Sequence, residues 1–126
     1  MTRNRARQRA ADDRERLVEQ QVRALPDDNG VRVIVCAGEF DAETLGPLNT
    51  AATRAIDDPQ VKRIVLDVTD IRFADSTMLN VMLLLLHTGR LVLAGTVPPQ
   101  LGRLLDVTGA GELFPTADTV ESARAL

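Results

Sequence analysis

The sequence predicts an α/β domain, and three observations carry that prediction. Residues 64–68 form a nearly unbroken apolar run of strand length, the pattern of a strand covered on both faces in a parallel or mixed sheet. Residues 79–86 form a second apolar run, too long for an ordinary strand and rich in strong helix formers. The same alternation of a short apolar run with a longer amphipathic stretch recurs on either side of this pair, which is the order expected of strands connected through helices.

Taken in order, residues 17–25 fit two periodicities. Leu17, Val18, Gln21, Val22 and Leu25 fall at helical spacing, whereas Val18, Val22 and Ala24 fit one face of a strand. The following Pro26-Asp27-Asp28-Asn29-Gly30 is a turn whose Asn-Gly pair tolerates positive φ, and residues 31–37 after it read as a strand. A turn of that kind favours a hairpin, with residues 17–25 as its first arm. Gly38-Glu39-Phe40-Asp41 is expected to close the second strand, and Asp41 to cap a helix over residues 42–56 with Leu45, Leu48, Ala52, Ala55 and Ile56 on its inner face.

The central strand is expected over residues 64–68, followed by a polar turn. Asp75-Ser76-Thr77 then opens the next helix, because short oxygen-bearing side chains accept hydrogen bonds from the unpaired N–H groups of a helix start. Gly89 ends that helix, with His87 in its last turn. Residues 91–94 are a short buried strand. Val97-Pro98-Pro99 leads into a helix over residues 100–107, with Leu101, Leu104, Leu105 and Val107 inward and Gly109 as its stop. Residues 110–115 are read as a brief extended segment, and Asp118 or Thr119 caps a last helix ending at Ala125.

At 126 residues the chain has room for one core, and with only three phenylalanines and no Trp or Tyr that core is built from aliphatic side chains. The shortage of aromatic faces argues against single-stranded nucleic-acid binding. One cysteine, Cys36, forbids an internal disulfide and reads as a small buried hydrophobe in a strand. No apolar run reaches the roughly 20 residues of a membrane span, and no signal core precedes residue 17, so the cytoplasm is the expected compartment. Residues 1–25 hold seven arginines against four acids, +3 of a total of −3, leaving −6 for the remainder. Residues 1–16 are accordingly read as a basic, flexible leader and residues 17–126 as the folded domain.

Chemistry-bearing patterns are few. There is no Gly-x-Ser-x-Gly elbow, no dinucleotide or phosphate-loop glycine pattern, and no Cys/His cluster for a metal, so no enzyme activity, cofactor or metal is expected. His87 lies about 16 Å along the helix axis from Ser76 and cannot act as its base. What remains is the Ser76 hydroxyl, displayed at the positive end of a helix dipole.

Six ordered blocks resemble the STAS domain of anti-sigma-factor antagonists: Gly38-Glu39-Phe40-Asp41, Ile64-Val65-Leu66-Asp67, Phe73-Ala74-Asp75-Ser76-Thr77, Leu91-Val92-Leu93-Ala94-Gly95, Leu105-Asp106-Val107-Thr108-Gly109 and Leu113-Phe114-Pro115. The resemblance implies a small mixed sheet of four or five strands, the first antiparallel, flanked by about four helices. It also implies a partner-switching role, in which an anti-sigma factor that is also a serine kinase phosphorylates the serine after the aspartate, here Ser76, with Thr77 as second choice. The partner surface it implies comprises Asp41, Asp75, Ser76, Thr77, Met78 and Asn80, with a serine phosphatase to reverse the modification; a monomer with no direct nucleic-acid contact and no membrane insertion is expected. After the acceptor the family usually has Ser-Gly-Leu-Gly, whereas this chain has Thr77-Met78-Leu79-Asn80, which is expected to put a long flexible side chain on the landing surface. The alternative is an unphosphorylated interaction module, a signalling scaffold or a cytoplasmic transporter subunit, docking through the same residues.

Overall fold

Asn29 and Gly30 both take positive φ, 55° and 77°, and Asp28 and Val31 on either side exchange backbone hydrogen bonds of 3.1 and 3.0 Å. This is the two-residue turn whose twist suits an antiparallel hairpin. The computed structural model describes residues 21–126, and in it the hairpin arms are β1 (Gln21–Ala24) and β2 (Val31–Phe40). The rest of the expected first arm, residues 17–20, and the leader, residues 1–16, lie outside the described residues. The chain continues through α1 (Gly46–Asp57), β3 (Arg63–Ala74), α2 (Ser76–His87), β4 (Leu91–Ala94), α3 (Pro99–Thr108), a 3-10 turn (Gly111–Leu113), β5 (Thr116–Ala117) and α4 (Val120–Arg124). The five strands lie in sequence order, β1 antiparallel to β2 and the others parallel.

Alternation along the central strands feeds two apolar clusters, one on each face of the sheet, where the chain length suggested a single core. Ile34, Cys36, Ile64, Leu66, Val68, Leu91 and Leu93 point to the face covered by α1, α2 and α3. Val31, Val33, Val65, Val92 and Ala94 point to the other face, where Ala123 and Val120 of α4 pack. The apolar run of β3 is thus buried on both sides, as its continuity requires.

Several boundaries depart from the sequence expectation. α1 begins at Gly46 with Leu45 as its N-cap, not at residue 42 under Asp41. Pro47 is the reason: deep inside a helix it would lack its N–H and clash with the preceding turn, whereas in the first turn neither matters. β3 runs to Ala74, beyond the end expected for it, because it pairs with β2 past the point where β4 stops, while β2 ends at Phe40 within the block expected to close it. Residues 69–72 are therefore strand and not a polar turn, with register shifts at Val35/Ala37 and Gly38/Glu39 absorbing the irregularity. Val107 is 79% exposed, since at 3.6 residues per turn it stands about 200° round the helix from Leu105. Residues 110–115 hold the 3-10 turn, and the only strand that follows is the two-residue β5.

Candidate functional site

The long β2–β3 pair carries two loops to one place. Phe40 and Ala74, the last residues of the two strands, stand opposite each other, and Asp75 N–H donates to the Phe40 carbonyl at 3.1 Å. Beyond Phe40 the Asp41 carboxylate accepts from the N–H groups of Glu43 (2.9 Å) and Thr44 (3.1 Å). Asp41 thus caps a turn over residues 41–44 instead of the helix assigned to it from sequence.

Beyond Ala74, Asp75 is the N-cap of α2. Its carboxylate accepts from the N–H of Thr77 at 2.9 Å, from the more distant N–H of Met78 at 3.4 Å and from the Thr77 hydroxyl. The Thr77 hydroxyl, followed by backbone N–H groups that include that of Ala42, holds the Asp75 carboxyl below the usual carboxylate range, although partial burial opposes this. The Asp75 N–H bond to the Phe40 carbonyl ties the helix start after β3 to the end of β2, from which the residue 41–44 turn leaves. Asp75 orients the Thr77 hydroxyl, not that of Ser76.

Ser76 is the first residue of α2 and is exposed, and no described residue hydrogen-bonds its hydroxyl. Thr77 is half-buried with its hydroxyl committed to Asp75. Of the N–H groups at this helix start, those of Thr77 and Met78 already serve Asp75.

Asn80 is exposed one turn beyond Ser76. Met78 is not on that surface. Its side chain is 0% exposed, packed with Leu79, Met82 and Leu85 into the core, because positions 78, 82 and 85 share the inner face of α2. The outer face, at 76, 80, 84 and 87, contains a residue that sequence reasoning missed: Leu84, 58% exposed. Ser76, Asn80 and His87 make the rest of this face polar, and Leu84 falls on it by its spacing from Ser76. His87 closes this stripe at the far end of α2, with Nδ1 2.8 Å from the Leu83 carbonyl. Among the described residues no cluster of His, Cys, Asp or Glu is placed to hold a metal.

A family model for the STAS domain matches residues 23–123. The anti-sigma F factor antagonist of Paenibacillus polymyxa is 31% identical over 98 residues, 75% of this chain and 84% of that relative. The crystal structure of an anti-sigma factor antagonist from Mycobacterium paratuberculosis has a TM-score of 0.73 at 22% identity, covering 85% of this chain and 92% of its own. The anti-sigma factor antagonist SpoIIAA in its unphosphorylated form follows at 0.69 and 21%, covering 84% and 98%. SpoIIAA of Bacillus in its phosphorylated form stands at 0.64 and 21%, covering 83% and 97%. The structures establish likeness of fold, and the family model, which spans both long strands and every helix that frames Ser76, settles descent: the chain belongs to the STAS-domain family.

Proposed function

We propose that this protein is a cytoplasmic anti-sigma-factor antagonist that binds an anti-sigma factor with serine-kinase activity and releases it once Ser76 is phosphorylated. The observation that carries the reading is the exposed Ser76 hydroxyl, unheld by any described residue and presented on a helix start that Asp75 fixes from within. The relative named as an anti-sigma F factor antagonist supports the partner, and the two forms of SpoIIAA support a phosphorylated state in this fold. No helix among the described residues is long and apolar enough to cross a membrane.

Phosphorylation adds about −1.5 to −2 charges at neutral pH. With the neighbouring N–H groups already engaged, that charge is displayed to whatever lands on the outer face of α2. A like-charge or desolvation term of a few kcal/mol, at an effective dielectric of about 20, lowers affinity by orders of magnitude. Asp41 shapes the adjoining turn, and Asp75, Thr77 and Asn80 complete the proposed contact area, whereas Met78 supports it from beneath.

Incubation of the purified chain with ATP and histidine-kinase-like anti-sigma factors, read by mass spectrometry, is expected to add one phosphate that Ser76→Ala abolishes and Thr77→Val retains. Calorimetric titration is then expected to show Ser76→Ala binding like wild type and Ser76→Asp at least about tenfold more weakly. Equal affinity of the two variants sinks the switch and leaves an unmodified docking module.

A further inference from the structure

Ala74 is the residue immediately before the Asp75 cap, and its backbone is buried between two partners of different kind. On one side lies β2. On the other side β4 has already ended, its pairing with β3 stopping at Asp67 and Ala94. The space is filled by one side chain from the first turn of α3. Gln100 Nε2 donates to the Ala74 carbonyl at 2.9 Å, and Gln100 Oε1 accepts from the Ala74 N–H at 2.8 Å. A carboxamide carries both a donor and an acceptor, so it copies the edge of a peptide and completes the sheet where no strand is present.

We infer that Gln100 is the positioning residue of the Ser76 site, a clamp that fixes the peptide from which α2 starts and makes α3 part of the apparatus that presents the hydroxyl. Ala74 is 1% exposed, so removing the carboxamide leaves a buried N–H and C=O without their partner. The direction of the Ala74–Asp75 peptide then depends on β2 alone, and the Asp75 carboxylate, which sets the first turn, moves with it. The consequence for phosphoryl transfer rests on the reading of Ser76 as acceptor, because in-line attack tolerates displacements of well under about 1 Å.

Hydrogen exchange on the full chain, followed residue by residue, tests the clamp without any partner. In Gln100→Ala the amides of Ala74, Thr77 and Met78 are expected to exchange about tenfold faster while Leu66 and Leu93 keep their protection. In Gln100→Glu the carboxylate still accepts from Ala74 N–H but repels the Ala74 carbonyl; protonating it restores the donor, so protection at Ala74 returns as pH falls, at a pH above the ordinary carboxylate range because that repulsion favours the protonated form. With the anti-sigma kinase that modifies wild type, both variants are expected to lose about tenfold in kcat/KM at Ser76, mostly in kcat. Unchanged exchange at Ala74, or a rise shared equally by Leu66 and Leu93, overturns the clamp. Local loss of protection in a chain that no such kinase phosphorylates upholds the clamp and sinks the switch, so the two failures are told apart.

Discussion

Asp75 acts through hydrogen bonds that only its ionised form makes at full strength, which gives the helix start a pH dependence of definite sign. Its carboxyl is held below the usual range, chiefly by the Thr77 hydroxyl and then by the N–H groups of Thr77, Met78 and Ala42. A depressed carboxyl contributes stability that is complete above the ordinary value, about 3.9, and that is lost as pH falls through the lower, folded value. Asn is also a good N-cap but does not titrate. The stability difference between wild type and Asp75→Asn, measured by urea unfolding, is therefore expected to narrow as pH drops from about 6 toward 3, whereas Asp75→Ala stays about 1 kcal/mol less stable than Asp75→Asn throughout. A wild-type curve parallel to that of Asp75→Asn across this range would show that the carboxylate's ionisation contributes nothing.

Along α2 the same residue types serve opposite ends according to their angle about the axis. Met78 and Leu84 are both large and apolar, yet one is wholly enclosed and the other is 58% exposed. Met78→Ala is expected to cost about 2–5 kcal/mol of stability through the cavity it leaves, with the affinity of the folded fraction for an anti-sigma factor unchanged. Leu84→Gln is expected to stay within about 0.5 kcal/mol of wild type in stability and to weaken that affinity about tenfold or more, as loss of an apolar anchor in a desolvated contact does. Calorimetry beside urea unfolding separates the two, and a reversed pattern removes the outer face of α2 from the interface. The ends of this helix were legible because capping is local chemistry: Asp75 and Gly89 identify themselves whatever the rest of the chain does. Its faces were legible only in part: Asn80 marks the outer one, but the other residues of 79–86 are all apolar, and packing against α1 and the sheet decides that Leu84 is left uncovered. Pro47 was a local signal too, and given its weight it places the start of α1 correctly.

For the molecule as a whole, the α/β class and the order of elements could be read from apolar runs and turn residues, and burial on two faces leaves a continuous signature in β3, but the expectation of one core missed that the sheet divides the apolar interior in two. The full length of the β2–β3 pair could not be read, because residues 38–40 and 70–74 are strand only by virtue of each other, and a pairing between distant segments has no local marker. The meeting of the residue 41–44 turn with the Ser76 helix start follows from that pairing, so the unity of the site was equally hidden; only the resemblance to a known family joined Asp41 to Ser76. Cys36 offers a measure of how firmly this framework closes. It lies on β2 between β1 and β3, is 0% exposed beneath the helical layer, and its thiol is pushed up first by burial and then by the Asp67 carboxylate. The thiolate is the species that reacts, so native labelling is suppressed by both access and ionisation. Reaching the sulfur requires parting helices from sheet across a core shared by α1, α2 and α3, which is close to unfolding the domain. The free energy of opening obtained from Cys36 labelling at increasing urea is therefore expected to equal the global unfolding free energy and to carry the same urea slope. A markedly smaller free energy with a shallow slope would mean that the short β1 or the helical layer lifts away on its own, and that the sheet beneath Ser76 is not held as one cooperative body.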